Sequence, residues 1–213
     1  MERLKQRGRN RKQRERKSFI VIKCEGNNET EQIYFNNFRT RDSIIIKFSD
    51  GNSTDPVGMA NELVSFIGDE DISSENGDKI YLLIDTDVNA NKQKQIDDAK
   101  EICDEYGIEL ITSTPSFEFW YMLHFGYTTG SYSSSKEIKK KMKKKIPGYT
   151  ENMNVYPIIK DNTDEAMNYA ERVEEFHKRN GRKIDSEEAN PHTNVYRVLK
   201  EIKKRNKFYN KKN

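Results

Sequence analysis

The run Lys79-Ile80-Tyr81-Leu82-Leu83-Ile84 ends on Asp85-Thr86-Asp87. Such a short, almost unbroken apolar run reads as a strand buried on both faces, the form expected in a parallel sheet. A second run, Ser18-Phe19-Ile20-Val21-Ile22-Lys23-Cys24, closes on Glu25 in the same way. Open α/β sheets bind ligands at the carboxyl ends of their strands. Carboxylates at that edge point to a divalent-metal site and to phosphoryl-transfer or phosphodiester chemistry.

Residues i and i+2 of extended chain point the same way, so Asp85 and Asp87 are expected to project together. Two carboxylates about 4 Å apart repel by several kcal/mol near a protein surface. They relax by raising a pKa or by binding a cation. With oxygen ligands and no His or Cys nearby, the fitting ions are hard: Mg²⁺, Mn²⁺ or Ca²⁺. The plainer alternative makes Asp85 and Asp87 caps of the following helix. Glu25, at the end of another strand, favours the metal.

Outward from these runs, strands are expected at 18–24, 43–48, 79–84 and 108–112, alternating with helices at 29–39, 55–67 and 91–106. Ile33, Phe35 and Phe38 give the first helix an apolar face. Asp55-Pro56 supplies an N-cap and first turn, and Gly107 a C-terminal stop. This is the grammar of a mostly parallel four-stranded sheet covered by helices. The sheet then stops at an aromatic helical stretch, Phe117 to Phe125, and a Tyr/Ser/Gly-rich linker over 126–135. Helices near 136–145, 162–179 and 191–205 complete a helical extension packed on the core. The divisions are a basic tail, 1–17; an α/β core, 18–125; the extension, 126–205; and a basic tail, 206–213.

Charge is partitioned along the 213 residues. Segments 1–17, 136–145 and 200–213 hold 23 of the 38 Lys and Arg but 4 of the 35 Asp and Glu, leaving an acidic body. An acidic site attracts phosphate only with a metal and outside positive charge, so the basic segments suit a polyanion partner. Solvated tails are the plain alternative. Cys24 and Cys103 read as reduced packing residues of a cytoplasmic protein. No run has the roughly 18 apolar residues of a membrane span. No signal core is found, and no paired Cys/His spacing suggests structural zinc.

Four ordered motifs resemble the RloB family, Toprim-like proteins of bacterial restriction and phage-defence loci related to OLD-type nucleases. They are Cys24-Glu25-Gly26 with Thr30-Glu31 and Tyr34-Phe35; Ile84-Asp85-Thr86-Asp87; Ser116-Phe117-Glu118-Phe119-Trp120 with Leu123-His124-Phe125; and Asn190-Pro191-His192-Thr193-Asn194-Val195. The resemblance implies a Toprim-like fold and a Mg²⁺- or Mn²⁺-dependent nuclease acting on DNA or RNA. It implies an AAA- or ABC-type ATPase partner and is compatible with a homo-oligomer. Glu25 becomes a general acid/base or metal ligand, and Asp85 and Asp87 hold the ion. The family's Glu-Gly-x-x-Thr-Glu is one residue longer here, leaving open whether Glu31 or Glu29 reaches the metal.

By the same resemblance Glu118 lines the site, and an acid in so apolar a stretch needs a partner or metal when buried. Lys160 would supply a cation to the transition-state phosphate; an exposed lysine is the alternative. Trp120, Leu123 and Phe125 read as core, His124 as a hydrogen-bonded packing residue rather than a base, and His177 as surface. Asn190 or Thr193 is expected to cap the last helix, whose N–H groups would suit a phosphate. Competing classes are a non-catalytic nucleic-acid-binding or regulatory subunit of an ATPase-containing complex, and a phosphatase or phospho-receiver. The last is disfavoured because the acidic pair follows the third strand and Asn89 stands where such phosphatases carry Thr or Val.

Overall fold

The computed structural model describes residues 17–25, 29–40, 44–87 and 90–212, with the side chains of 29, 90, 91 and 209–212 also outside the description. The basic tail 1–17 lies outside it apart from Lys17. The fold is α/β with a five-stranded sheet in the order β2-β1-β3-β4-β5. The strands are β1 (Phe19–Lys23), β2 (Ile45–Phe48), β3 (Lys79–Asp85), β4 (Glu109–Thr114) and β5 (His192–Thr193). The first four are parallel; β5 runs antiparallel to β4, with Ser113 opposite Thr193 and Thr114 opposite His192.

Side chains alternate across the strands. Val21, Ile80, Leu82 and Ile84 face one core, shared with α2 (Pro56–Asp69) and α3 (Ala90–Glu105) through Met59, Leu63, Ile96 and Cys103. Ile20, Ile22, Tyr81 and Leu83 face the other, built with α1 (Glu29–Asn36), α4 (Glu118–Leu123), α5 (Ser135–Lys145), α7 (Thr163–Arg179) and α8 (Tyr196–Lys212). Both faces are covered, which is why the strand runs carry no polar alternation. A short α6 (Tyr156–Ile159) precedes α7. Asp55 caps α2 by accepting from Gly58 N at 2.8 Å, and Gly107 takes φ +68° after α3.

Several expectations are corrected. The sheet has five strands, not four, because the C-terminal segment returns to it. Residues 191–195 do not begin a helix: Asn194 Oδ1 accepts from Thr112 N at 2.7 Å, and Asn194 N donates to Thr112 O at 3.2 Å. Asn190 likewise clamps Tyr132, accepting from its N at 3.1 Å and donating to its O at 2.6 Å. The Asn194 side chain thus substitutes for a ladder hydrogen bond, while Asn190 is engaged by Tyr132 and Thr193 lies within β5, so neither of the two expected residues takes the N-cap position of α8. That helix starts at Tyr196 and runs through residues read as a tail. His177 is buried rather than on the surface, its Nε2 2.8 Å from Pro191 O. Phe125 is exposed rather than core, whereas Trp120 and Leu123 are buried.

Candidate functional site

The carboxyl ends of β1 and β3 lie side by side, and their acids meet there. Asp85 is the last residue of β3, and Glu25 follows β1 by two positions. The chain after Asp85 stays fixed to the end of β4: Thr86 N donates to Ser113 O at 2.9 Å and Asp87 N to Pro115 O at 3.1 Å. Asp87 adopts φ +57°, a left-handed conformation. The expected i, i+2 projection therefore fails, because extended geometry ends with the strand. Asp85 is half-buried and points inward, while Asp87 is exposed at the rim.

Two helices supply the inner acids. Tyr34 is buried in α1 and packs edge-on against Phe117 and Trp120, at 5.8 and 6.3 Å between ring centroids, tying α1 to the start of α4. One turn before Tyr34 stands Glu31, and at the start of α4 stands Glu118; both are buried. Glu118 accepts from Ser116 Oγ at 2.5 Å and from Tyr149 OH at 3.0 Å. Glu31 Oε2 is buried with no hydrogen-bond partner. An orphaned carboxylate oxygen at that depth is costly.

The shifts in acidity agree with this crowding. Burial, then the charges of Glu31, Glu118, Glu25 and Asp87, raise Asp85 well above the usual carboxylate range. Burial first, with Glu118 and Glu25, pushes Glu31 up to about 8. Glu25 is raised by burial, opposed by Lys92. Desolvation and like charge both disfavour ionised carboxylates, and both act here.

Two lysines partly offset the negative charge. Lys92 Nζ lies 3.5 Å from Glu25 and 3.1 Å from Asp87. Lys139 Nζ lies 3.8 Å from Glu118 and 3.0 Å from Glu151. Burial opposes the charge of Lys139, but Glu118, Glu151 and Asp85 outweigh it and raise its pKa. Lys160 is not brought to this cluster: it is exposed on a single 3₁₀ turn, 160–162, and makes no ion pair among the described residues. Lys92, Lys139, Tyr149 and Glu151 were not singled out from sequence. Lys139 is one of seven lysines in ten residues, and nothing local distinguishes it.

No histidine joins the acids. His124 Nδ1 lies 3.0 Å from Trp120 O, and burial lowers its pKa to about 4, as suits a neutral packing residue. Buried Cys24 is adjacent, its thiol raised by burial and then by Glu31 and Asp85, so it is a poor nucleophile. The crevice lined by Thr30, Glu31, Asp85, Phe117, Glu118, Lys139 and Glu151 has a volume of about 10 Å³. That is close to the room one water-sized sphere needs. As placed, no three His, Cys, Asp or Glu side chains among the described residues form a group that could hold a metal ion. The donor set is all oxygen and includes the orphaned buried Glu31 Oε2, which is the chemistry that a hard cation takes.

The fold and site thus define an α/β protein with a carboxylate-lined crevice at the edge of a mostly parallel sheet. The family described as RloB-like protein matches residues 20–202, and the chain belongs to that family. No curated protein and no solved structure matches the chain. Among the described residues no helix is long and apolar enough to cross a membrane.

Proposed function

We propose that this protein is a Toprim-like, Mg²⁺- or Mn²⁺-dependent nuclease of a bacterial antiphage system, cleaving phosphodiester bonds of DNA or RNA in the cytoplasm beside an ATPase partner. The observation that carries the reading is the gathering of Glu31, Asp85 and Glu118, with Glu25 and Asp87 at the rim, around an ion-sized crevice at the sheet edge. Asp85, Glu31 and Glu25 would hold the ion, with Asp87 reaching it from the rim. When bound, a divalent ion lowers the pKa of a water and neutralises charge on the reacting phosphate. Burial raises the pKa of Glu25, against the pull of Lys92, which is the direction that suits a carboxyl exchanging a proton with a bound water. Ser116 and Tyr149 hold Glu118 in one orientation, and Lys139 offers positive charge beside it.

A second reading, a non-catalytic nucleic-acid-binding or regulatory subunit, draws support from the lysines that already compensate the acids. Incubating the protein with plasmid, linear DNA and tRNA under Mg²⁺ or Mn²⁺ separates the two. Glu25→Gln and Asp85→Asn should each lower metal-dependent cleavage roughly 100-fold, the scale of losing one electrostatic partner at a reacting centre. Variants that cut as well as the parent sink the nuclease reading, and absence of cleavage under either metal favours the second.

A further inference from the structure

Beside the ion-sized crevice, and sharing Lys139 and Glu151 with it, lies a cleft of about 460 Å³ that also includes Lys143, Tyr149, Thr150 and Asn152. We propose that this cleft binds the phosphate backbone of a nucleic-acid strand, with Lys143 taking a phosphate one helical turn from the reacting position beside Lys139. The proposal rests on the nuclease reading for the place of the reacting phosphate, but not for the existence of the cleft.

The lysine run of α5 is divided by the helix. Ile138 and Met142 are buried and fix which way the helix faces. Lys141 and Lys145 fall on one side of that seam. Lys141 pairs with Glu137 at 3.0 Å and covers the Tyr132 ring at 4.3 Å; Lys145 sits 5.8 Å from the Phe125 ring centroid. Their charges are engaged with the protein's own surface. Lys139 and Lys143 fall on the other side, four residues apart, so they share a face with about 6 Å of rise between them.

Lys139 is already tied to Glu118 and Glu151, which leaves the cleft wall with a carboxylate that is neutralised in place. Lys143 is exposed and makes no ion pair among the described residues. A free ammonium in a polar cleft, next to acids that a metal would neutralise, is complementary to a polyanion and not to a basic or apolar surface. Hydroxyl and amide groups of Thr150 and Asn152 add donors of the kind that position phosphates without reading bases. So of seven lysines in the run, one stripe faces the reacting edge.

The test is fluorescence anisotropy with labelled single-stranded DNA and RNA of one sequence, about 20 nucleotides long, titrated with the full chain in EDTA at several salt concentrations. Lys143→Gln should weaken binding about 3- to 10-fold and reduce the salt slope by about 0.7, one phosphate's share for a single strand. Lys143→Glu should weaken it further, and Lys141→Gln and Lys145→Gln should leave affinity and slope as in the parent. Tighter binding of one probe identifies DNA or RNA as the source of the backbone. An unchanged Lys143→Gln, an equal loss in all four variants, or no binding of either probe overturns the proposal. Because cleavage is suppressed, loss of binding in Lys143→Gln would stand even if no metal supported scission. Metal-dependent cleavage with a neutral Lys143→Gln would remove the cleft assignment alone.

Discussion

Replacing Glu31 by glutamine should make the metal-free protein more stable at alkaline pH, an unusual outcome for a buried motif residue. In the unfolded chain its carboxyl titrates near 4.5, whereas in the fold it is pushed up to about 8. A carboxyl whose folded pKa is raised favours the native state while protonated. Its contribution is therefore complete below the unfolded value and is lost as pH rises through the folded one. At about 1.36 kcal/mol per unit, the loss across that window is roughly 5 kcal/mol. Glutamine keeps the shape and never ionises. For a chain of this size about 2–4 °C accompanies each kcal/mol, so Glu31→Gln should melt roughly 10–20 °C above the parent at pH about 8.5 and close to it at pH about 4.5. Thermal melts followed by circular dichroism in EDTA measure this. Asp85 and Glu25 are shifted in the same direction, so the variant keeps some slope. A parent whose melting point does not fall with rising pH, or a variant that falls in parallel with it, refutes the reasoning.

Lys160→Gln should leave nucleic-acid cleavage at the parental rate, since that side chain is exposed away from the acids, whereas Lys139→Gln should reduce it; the reverse order in a cleavage time course would restore Lys160 to the site. Asn194→Ala should cost about 1–3 kcal/mol because it strands the buried Thr112 N–H, read as a melting-point drop on the order of 3–9 °C. An unaltered melting point would mean that the fifth strand is not held by that side chain.

The strand ends were legible because chemistry and pattern coincide there. A doubly covered strand needs a continuous apolar run, so Asp85 and Glu25 stand out where such runs stop. What lay between elements was harder to read. The backbone of Asp87 leaves extended geometry at the residue after Thr86, and no residue type announces that turn. β5 has two residues, too few for any periodicity, and the side chain that ties the end of it to β4, Asn194, is of a type that also caps helices. Glu118 was legible as an acid in an aromatic stretch, but its partners Ser116 and Tyr149 come from a neighbouring turn and a distant loop. Lys139 and Lys143 are identical in type to five neighbours, and only the orientation of α5 separates them. His177 shows why a lone polar residue on an amphipathic helix is ambiguous: the returning segment at Pro191 covers it.

Whether the carboxylates at the sheet edge hold a divalent cation is a question of binding and of protons together. Titration of the full chain with Mn²⁺, followed by isothermal calorimetry in two buffers of different ionisation enthalpy, tests it most directly. Binding should be accompanied by net proton release between pH about 6 and 8, because raised carboxyls must ionise to ligate. Asp85→Asn should abolish that binding, and Glu31→Gln should reduce the proton release. No Mn²⁺ binding by the parent, or binding that survives intact in Asp85→Asn, would contradict the account.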